Sequence, residues 1–359
     1  MSDWPDRRIL DLLGIRHPIL LAPMAGPGTA ALAGAVTEAG GLGALACALL
    51  SVNDARAAVG RVRNSIAGPI NLNFFCHSAP TPDKARERVW RERLGPYYAE
   101  LGLDPRASAP TASRAPFDSQ YCDLVEELRP EVVSFHFGLP QTDLLDRVKA
   151  AGARVIATAT TVREALWLES RGCDAVIAQG LEAGGHRGGF LDLDPARQVG
   201  TFALVPQMAD AVRVPVIAAG GIADGRGVVA ALALGAAAVQ MGTAFLLCPE
   251  AGASALHRAA LTEAADDDTA VTNLFTGAPA RGVINRLMRE VGPLSQDAPS
   301  FPLAGAALAP LRAAAEARGA ADFTNLWSGQ ASRMAKAVPA GVLVREIAQE
   351  ALRRLASRT

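Results

Sequence analysis

The sequence predicts an α/β chain folded as a TIM (β/α)8 barrel, and three observations carry that prediction. Short apolar runs alternate with helical patterns from one end to the other, which is how βα units around a parallel sheet read. The runs number eight and are nearly continuous in apolar character, as strands covered on both faces are. A chain of 359 residues, half of them apolar, also suits one large barrel with additions, because barrels routinely exceed the usual domain size. An open doubly wound sheet is the alternative.

The first four runs are Ile19 to Met24 (ILLAPM), Leu42 to Ala46 (LGALA), Pro69 to Phe75 (PINLNFF) and Val132 to Gly138 (VVSFHFG). The next four are Arg154 to Ala159 (RVIATA), Ala175 to Gln179 (AVIAQ), Val214 to Gly220 (VPVIAAG) and Ala238 to Phe245 (AVQMGTAF). Helical stretches such as Thr161 to Arg171 and Gly225 to Leu234 separate them. Two segments break the rhythm. One, rich in Pro, Arg and Glu, runs from Cys76 to Phe117 and reads as a charged helix plus loop inserted after the third strand. The other, from about Glu250 to Gly329, turns irregular, with the run Asp266-Asp267-Asp268 and several Gly and Pro turn signals. The expected division is a barrel over 1–249 with an insertion at 76–117, a lid subdomain over 250–330, and a C-terminal helix within 331–359 packed back on the barrel.

Composition narrows the partners. Thirty-five basic and 36 acidic residues are interleaved, which leaves no electrostatic footprint for nucleic acid or an anionic membrane. The first residues lack the long apolar region of a secretory signal, so the cytoplasm is the expected compartment. Gly227 to Pro249 is uncharged and long enough to imitate a membrane span. Its Ala content and its breaks at Gly235, Gln240, Gly242 and Thr243 read instead as a buried helix followed by a buried strand. The cysteines are scattered, with no CxxC pair and no histidine at ligand spacing, so neither a disulfide framework nor a metal site is expected. A small-molecule partner follows, and a homodimer is compatible with this surface.

A TIM barrel carries its chemistry at the C-terminal ends of its strands. There the sequence offers Met24 after the first strand, Asn71 and Asn73 in the third, His136 in the fourth and Gln179 closing the sixth. The glycine-rich stretch AQGLEAGGHRGGF, with His186 inside it, follows the sixth strand. Gly220-Gly221 ends the seventh strand and Gln240-Met241-Gly242-Thr243 lies in the eighth. Glycine turns after strands seven and eight expose backbone amides with little side-chain obstruction, the chemistry of a phosphate site. Buried amides such as Asn71 and Gln179 either bond neighbouring backbone or face a ligand that offers donors and acceptors along an edge. A flavin ring has such an edge, and its ribityl phosphate would reach the glycine turns. Neither a GxxxxGK[ST] loop nor a GxGxxG after a strand is present, so FMN fits better than NAD as the tightly held cofactor.

The segments AQGLEAGGHRGGF, AAGGIADGRGV, VQMGTAFLLCPEA, INLNFF and VVSFHFGLP, with the later NLFTGAPARGVIN and NLWSGQA, resemble bacterial nitronate monooxygenases, formerly called 2-nitropropane dioxygenases. That resemblance implies oxidation of alkyl nitronates, propionate 3-nitronate among them, by dioxygen to a carbonyl compound and nitrite. It implies FMN contacts for Asn71, Gln179, Gly184, Gly221 and Gln240 to Thr243, with Met24 and Gly220 beside them. His186 matches the family's active-site histidine, set to hold the nitronate over the flavin during one-electron transfer, or to deprotonate a neutral nitroalkane. His136 is expected in the substrate pocket, with Tyr121 and Lys336 as further pocket residues. His17 and His257 read as structural. The rival reading is an FMN-dependent enoyl-acyl-carrier-protein reductase using NAD(P)H, whose loop carries a similar EAGGH.

Overall fold

The computed structural model describes residues 4–104, 106, 114–191 and 194–357. The part of the expected insertion at 105 and 107–113 lies outside them, as do the last two residues of the chain. The strands, in chain order, are β1 (Ile19–Leu21), β2 (Gly43–Ala46), β3 (Ile70–Phe75), β4 (Val132–His136), β5 (Arg154–Ala159), β6 (Ala175–Gln179), β7 (Gly185–His186), β8 (Val216–Ala219), β9 (Ala238–Met241), β10 (Thr269–Thr272) and β11 (Ala280–Val283).

Eight of these form one parallel sheet in the order β1-β9-β8-β6-β5-β4-β3-β2. A parallel bridge between Leu20 and Leu42 joins the two ends, with Leu21 N–H donating to Leu42 O at 2.9 Å and Leu42 N–H to Ile19 O at 3.0 Å. The expected TIM-like barrel is therefore the observed fold. Every expected strand is present; the largest differences fall at the C-terminal ends of the first and last, and smaller ones at N-terminal ends, as where β8 begins at Val216 rather than Val214. The first strand stops at Leu21 because Pro23 cannot donate to a ladder. The last stops at Met241, and Thr243–Phe245 wind into a 3-10 turn. Strand interiors are buried on both sides, as in Val132–Phe135 and Ala175–Ala178.

The uncharged stretch after Gly227 resolves into the helix Gly225–Ala233 followed by β9, as expected. Among the described residues no helix is long and apolar enough to cross a membrane. The helix Ala340–Ala356 lays its buried face, including Leu343, Val344 and Ile347, against the barrel core.

A second apolar cluster sits apart from the barrel core. The helix Lys84–Leu101, from the segment after β3, contributes Trp90, Leu94, Tyr97 and Tyr98; the later chain contributes Leu274, Phe275, Leu308, Leu311 and Phe323. Both polar aromatics find partners as they are buried: Trp90 Nε1 donates to Ala304 O at 3.1 Å and Tyr98 OH to Ala307 O at 2.7 Å. The two segments that interrupt the βα rhythm thus pack on each other, and together they are called the cap below. A small antiparallel sheet, β10-β11-β7, ties the cap to the barrel. Its innermost strand, β7, carries His186, in a stretch that the sequence reads only as a loop.

Candidate active site

A cavity of ≈ 360 Å³ opens at the C-terminal ends of the barrel strands. Every barrel strand or the loop after it contributes to the lining, from Met24 after β1 through Asn73, His136, Thr158 and Gln179 to Gly220 and Met241. The cap supplies the opposite side through Arg114, Thr324, Asn325 and Trp327.

The glycine turns are as expected. Gly220 and Gly221 both have positive φ, 118° and 70°, which a residue with a Cβ adopts only under strain. Among the described residues, the N–H groups of Gly221 and Gly242 meet no protein acceptor. The Thr243 hydroxyl accepts from Gly329 N–H at 2.9 Å and keeps its own proton to donate. Gly184 borders the cavity for a different reason: a Cβ there would stand 2.5 Å from Gly329 N, so glycine permits the chain at 328–329 to cross the loop.

The buried amides divide between the two roles open to them. Gln179 is spent on the loop: its Nε2 donates to His186 O at 2.9 Å and its Oε1 accepts from Gly188 N–H at 2.7 Å. Gln179 also lines the cavity, and these two bonds clamp the glycine stretch in shape beside it. Asn71 is almost fully buried and neither its Nδ2 nor its Oδ1 has a partner; Gln240 Oε1 is likewise unpartnered. Leaving such groups unpaired costs roughly 1–3 kcal/mol each. Asn71 does not itself line the cavity. It shares a strand face with Asn73, which does, since side chains alternate along β3.

His186 sits half-buried at the cavity wall, its register fixed by pairing with Ala280 in β11. Its Nε2 lies 3.0 Å from Thr276 Oγ1, and the rings of Phe301, Trp327 and Phe75 surround it at 5.3, 5.5 and 6.0 Å between centroids. Burial, followed by the positive field of Arg114, holds its imidazole well below the usual histidine range. The ring is therefore neutral at neutral pH. His136 also borders the cavity, but both its nitrogens are engaged: Nε2 lies 3.2 Å from His186 O and Nδ1 3.1 Å from Thr158 Oγ1. A carbonyl only accepts, so Nε2 carries the proton and Nδ1 takes the threonine's. Burial pushes His136 down to about 4, consistent with this neutral tautomer.

Two expected pocket residues are not brought here. Tyr121 is buried on the side of the barrel, its hydroxyl donating to Leu50 O at 2.6 Å and its ring packed on Phe74. Lys336 is exposed and pairs with Glu346 at 3.3 Å. Conversely, His257 borders the cavity, with Nε2–H donated to Trp327 O at 3.0 Å. Thr276, Phe301 and Arg114 were not singled out from sequence. Thr276 stands within the quoted NLFTGAPARGVIN segment, whereas Phe301 and Arg114 carry no motif.

Comparison with known proteins agrees with the fold. The family model described as nitronate monooxygenase matches residues 6–350. A nitronate monooxygenase of Pseudomonas aeruginosa is 44% identical over 345 residues, covering 96% of this chain and 98% of that one. Among solved structures, the nitroalkane oxidase of Streptomyces ansochromogenes superimposes with a TM-score of 0.89 at 38% identity, covering 98% and 100% of the two chains. FabK from Thermotoga maritima superimposes with a TM-score of 0.73 at 29% identity, covering 98% and 97%. Length, fold and sequence agree along nearly the whole chain, and the protein belongs to the nitronate monooxygenase family.

Proposed function

We propose that the protein oxidises alkyl nitronates, such as propionate 3-nitronate, with dioxygen to a carbonyl compound and nitrite, using FMN in the cytoplasm. The observation that carries the reading is the pairing, in one cavity, of a neutral histidine with the unpartnered N–H groups of Gly221 and Gly242. The turns at Gly220-Gly221 and Gly242-Thr243 offer a dianion the N–H groups of Gly221 and Gly242 and one hydroxyl, which suits a ribityl phosphate. Gln240 Oε1, unpartnered at the cavity wall, suits the donor edge of an isoalloxazine, and the unpartnered Asn71 amide stands on the strand face of Asn73, which lines the same cavity. FMN, held there, would supply the one-electron oxidation of the nitronate that precedes its reaction with dioxygen.

The chain's own residues bind and orient. In the tautomer where Thr276 Oγ1–H points to Ala278 O, at 3.4 Å, its oxygen accepts from His186 Nε2–H. His186 Nδ1 then keeps a lone pair for the cavity. That nitrogen takes a proton from the acidic carbon of a neutral nitroalkane, and once protonated it holds the resulting anion by a charge-assisted hydrogen bond. A nitronate that arrives already ionised reaches the same state when His186 takes a proton from solvent. Phe75, Phe301 and Trp327 keep water from the reacting atoms.

The test is direct. Purified protein with bound flavin is mixed with propionate 3-nitronate in air and nitrite is measured, then mixed with NADH and an enoyl thioester. Nitrite release without NADH is expected. Rapid NADH-dependent enoyl reduction with no nitrite would transfer the protein to the reductase activity.

A further inference from the structure

The cavity holds one cation that the chemistry above does not use. Arg114 enters from the cap side and lines the cavity, its guanidinium carbon 5.8 Å from the centroid of Phe301, whose ring in turn lies 5.3 Å from His186. Among the described residues its side chain makes no ion pair and no hydrogen bond, and its only ring contact is with Phe301. Two other partly or fully buried arginines of the chain are matched by contrast: Arg258 donates to the carbonyls of Leu247, Cys248 and Ala251, and Arg281 to those of Leu181 and Thr269.

The surrounding charge sharpens the contrast. A second cation, Arg312, bears on Arg114 and no carboxylate offsets it, while burial alone already disfavours its charged form. Glu182, the one carboxylate among the described lining residues, is held elsewhere, accepting from Thr201 N–H and Oγ1–H at 2.8 Å each. The cavity thus carries unneutralised positive charge near its reactive histidine. Guanidinium groups in such places recognise carboxylates, because five fixed donors match two acceptor oxygens.

We infer that Arg114 is a specificity-determining residue, whose guanidinium binds a carboxylate carried on the tail of the substrate while His186 faces the nitro or nitronate group. This rests on the reading of the site as one for nitronates. It makes carboxylated nitronates better substrates than uncharged ones of equal length, through a residue in the insertion after β3.

The experiment compares wild type, Arg114→Gln and Arg114→Lys, each with bound flavin. Nitrite release is measured from propionate 3-nitronate and from 1-nitrobutane nitronate, which lacks the carboxylate. Binding of 3-nitropropionate and of 1-nitrobutane, without turnover, is measured by calorimetry in the absence of oxygen. The Gln variant is expected to lose about 10- to 100-fold in kcat/KM and in affinity for the carboxylated compounds only, with Lys recovering part of the loss. Equal losses on both compounds, or no loss on either, overturn the inference. If no nitronate yields nitrite but 3-nitropropionate binding still depends on Arg114, the oxidation reading fails while the carboxylate site stands.

Discussion

The two sides of the cavity are built from different material. The side made by the barrel strand ends is largely backbone and amide: Gly220, Gly221, Gly242, Asn73 and Gln240. The side that the cap brings over it carries cationic, hydroxyl and aromatic side chains, Arg114, Thr324 and Trp327, and Phe301 and Thr276 pack on His186. Backbone donors at strand ends are fixed by the sheet, and so suit a group that must be held in one place. Side chains on a separately packed cap can change without disturbing the barrel, and so suit the choice of substrate. His186 stands where the two meet, on a strand that leaves the barrel and pairs with the cap sheet.

The sharpest way to break this division is at the junction itself. His186→Asn is expected to lower turnover of a neutral nitroalkane about 10²- to 10⁴-fold, and turnover of a preformed nitronate less, with flavin content unchanged. Steady-state nitrite release on both substrate forms checks it; an equal loss on both would remove the proton-accepting role. Next comes the cap. Trp90→Ala removes the largest buried side chain of the second cluster and should cost about 3–5 kcal/mol in cap stability. Hydrogen exchange should show protection lost in 84–101 and 305–316 while the barrel strands stay protected. Loss of protection everywhere would mean that cap and barrel are one cooperative unit.

A smaller effect tests the barrel side. Asn71→Leu replaces an amide with no protein partner, and should stabilise the flavin-free protein by about 1–3 kcal/mol while weakening flavin binding. Thermal unfolding with and without added FMN separates the two; destabilisation of both forms would show that the amide serves the barrel alone. The smallest effect is a pH dependence. His136 is held down to about 4, below its unfolded value of about 6.5, so the unfolded chain binds its proton first. Its contribution to stability is complete above about 6.5 and is lost as pH falls towards about 4. His136→Gln should flatten the decline in denaturant midpoint over that window.

The same division explains what could be read in the sequence. The barrel was legible strand by strand because continuous apolar runs such as AVIAQ have no other good home than a buried parallel sheet. The glycine turns followed, since strand ends place them. Asn71 and Gln179 look alike in sequence, each an amide in an apolar strand, and only the fold of the loop shows that Gln179 is satisfied by His186 O and Gly188 N–H. Tyr121 and Lys336 were misplaced because no local pattern says which face of the barrel a helix or loop residue will meet. The pairing of β7 with β11 spans two residues on one side, too short for any periodic signal. Arg114 lay in an arginine-rich stretch, where a cation without a partner is indistinguishable from its neighbours.

That short pairing also bears on how the protein is made. A ribosome delivers β6 and the glycine stretch long before it delivers Ala280 and Arg281, the residues against which Gly185 and His186 align. Until then His186 has a loop and no register, and the crossing of Gly184 by Gly329 is later still. A nascent chain can therefore close most of its barrel before it has an active site, which delays any redox chemistry until the chain is nearly complete.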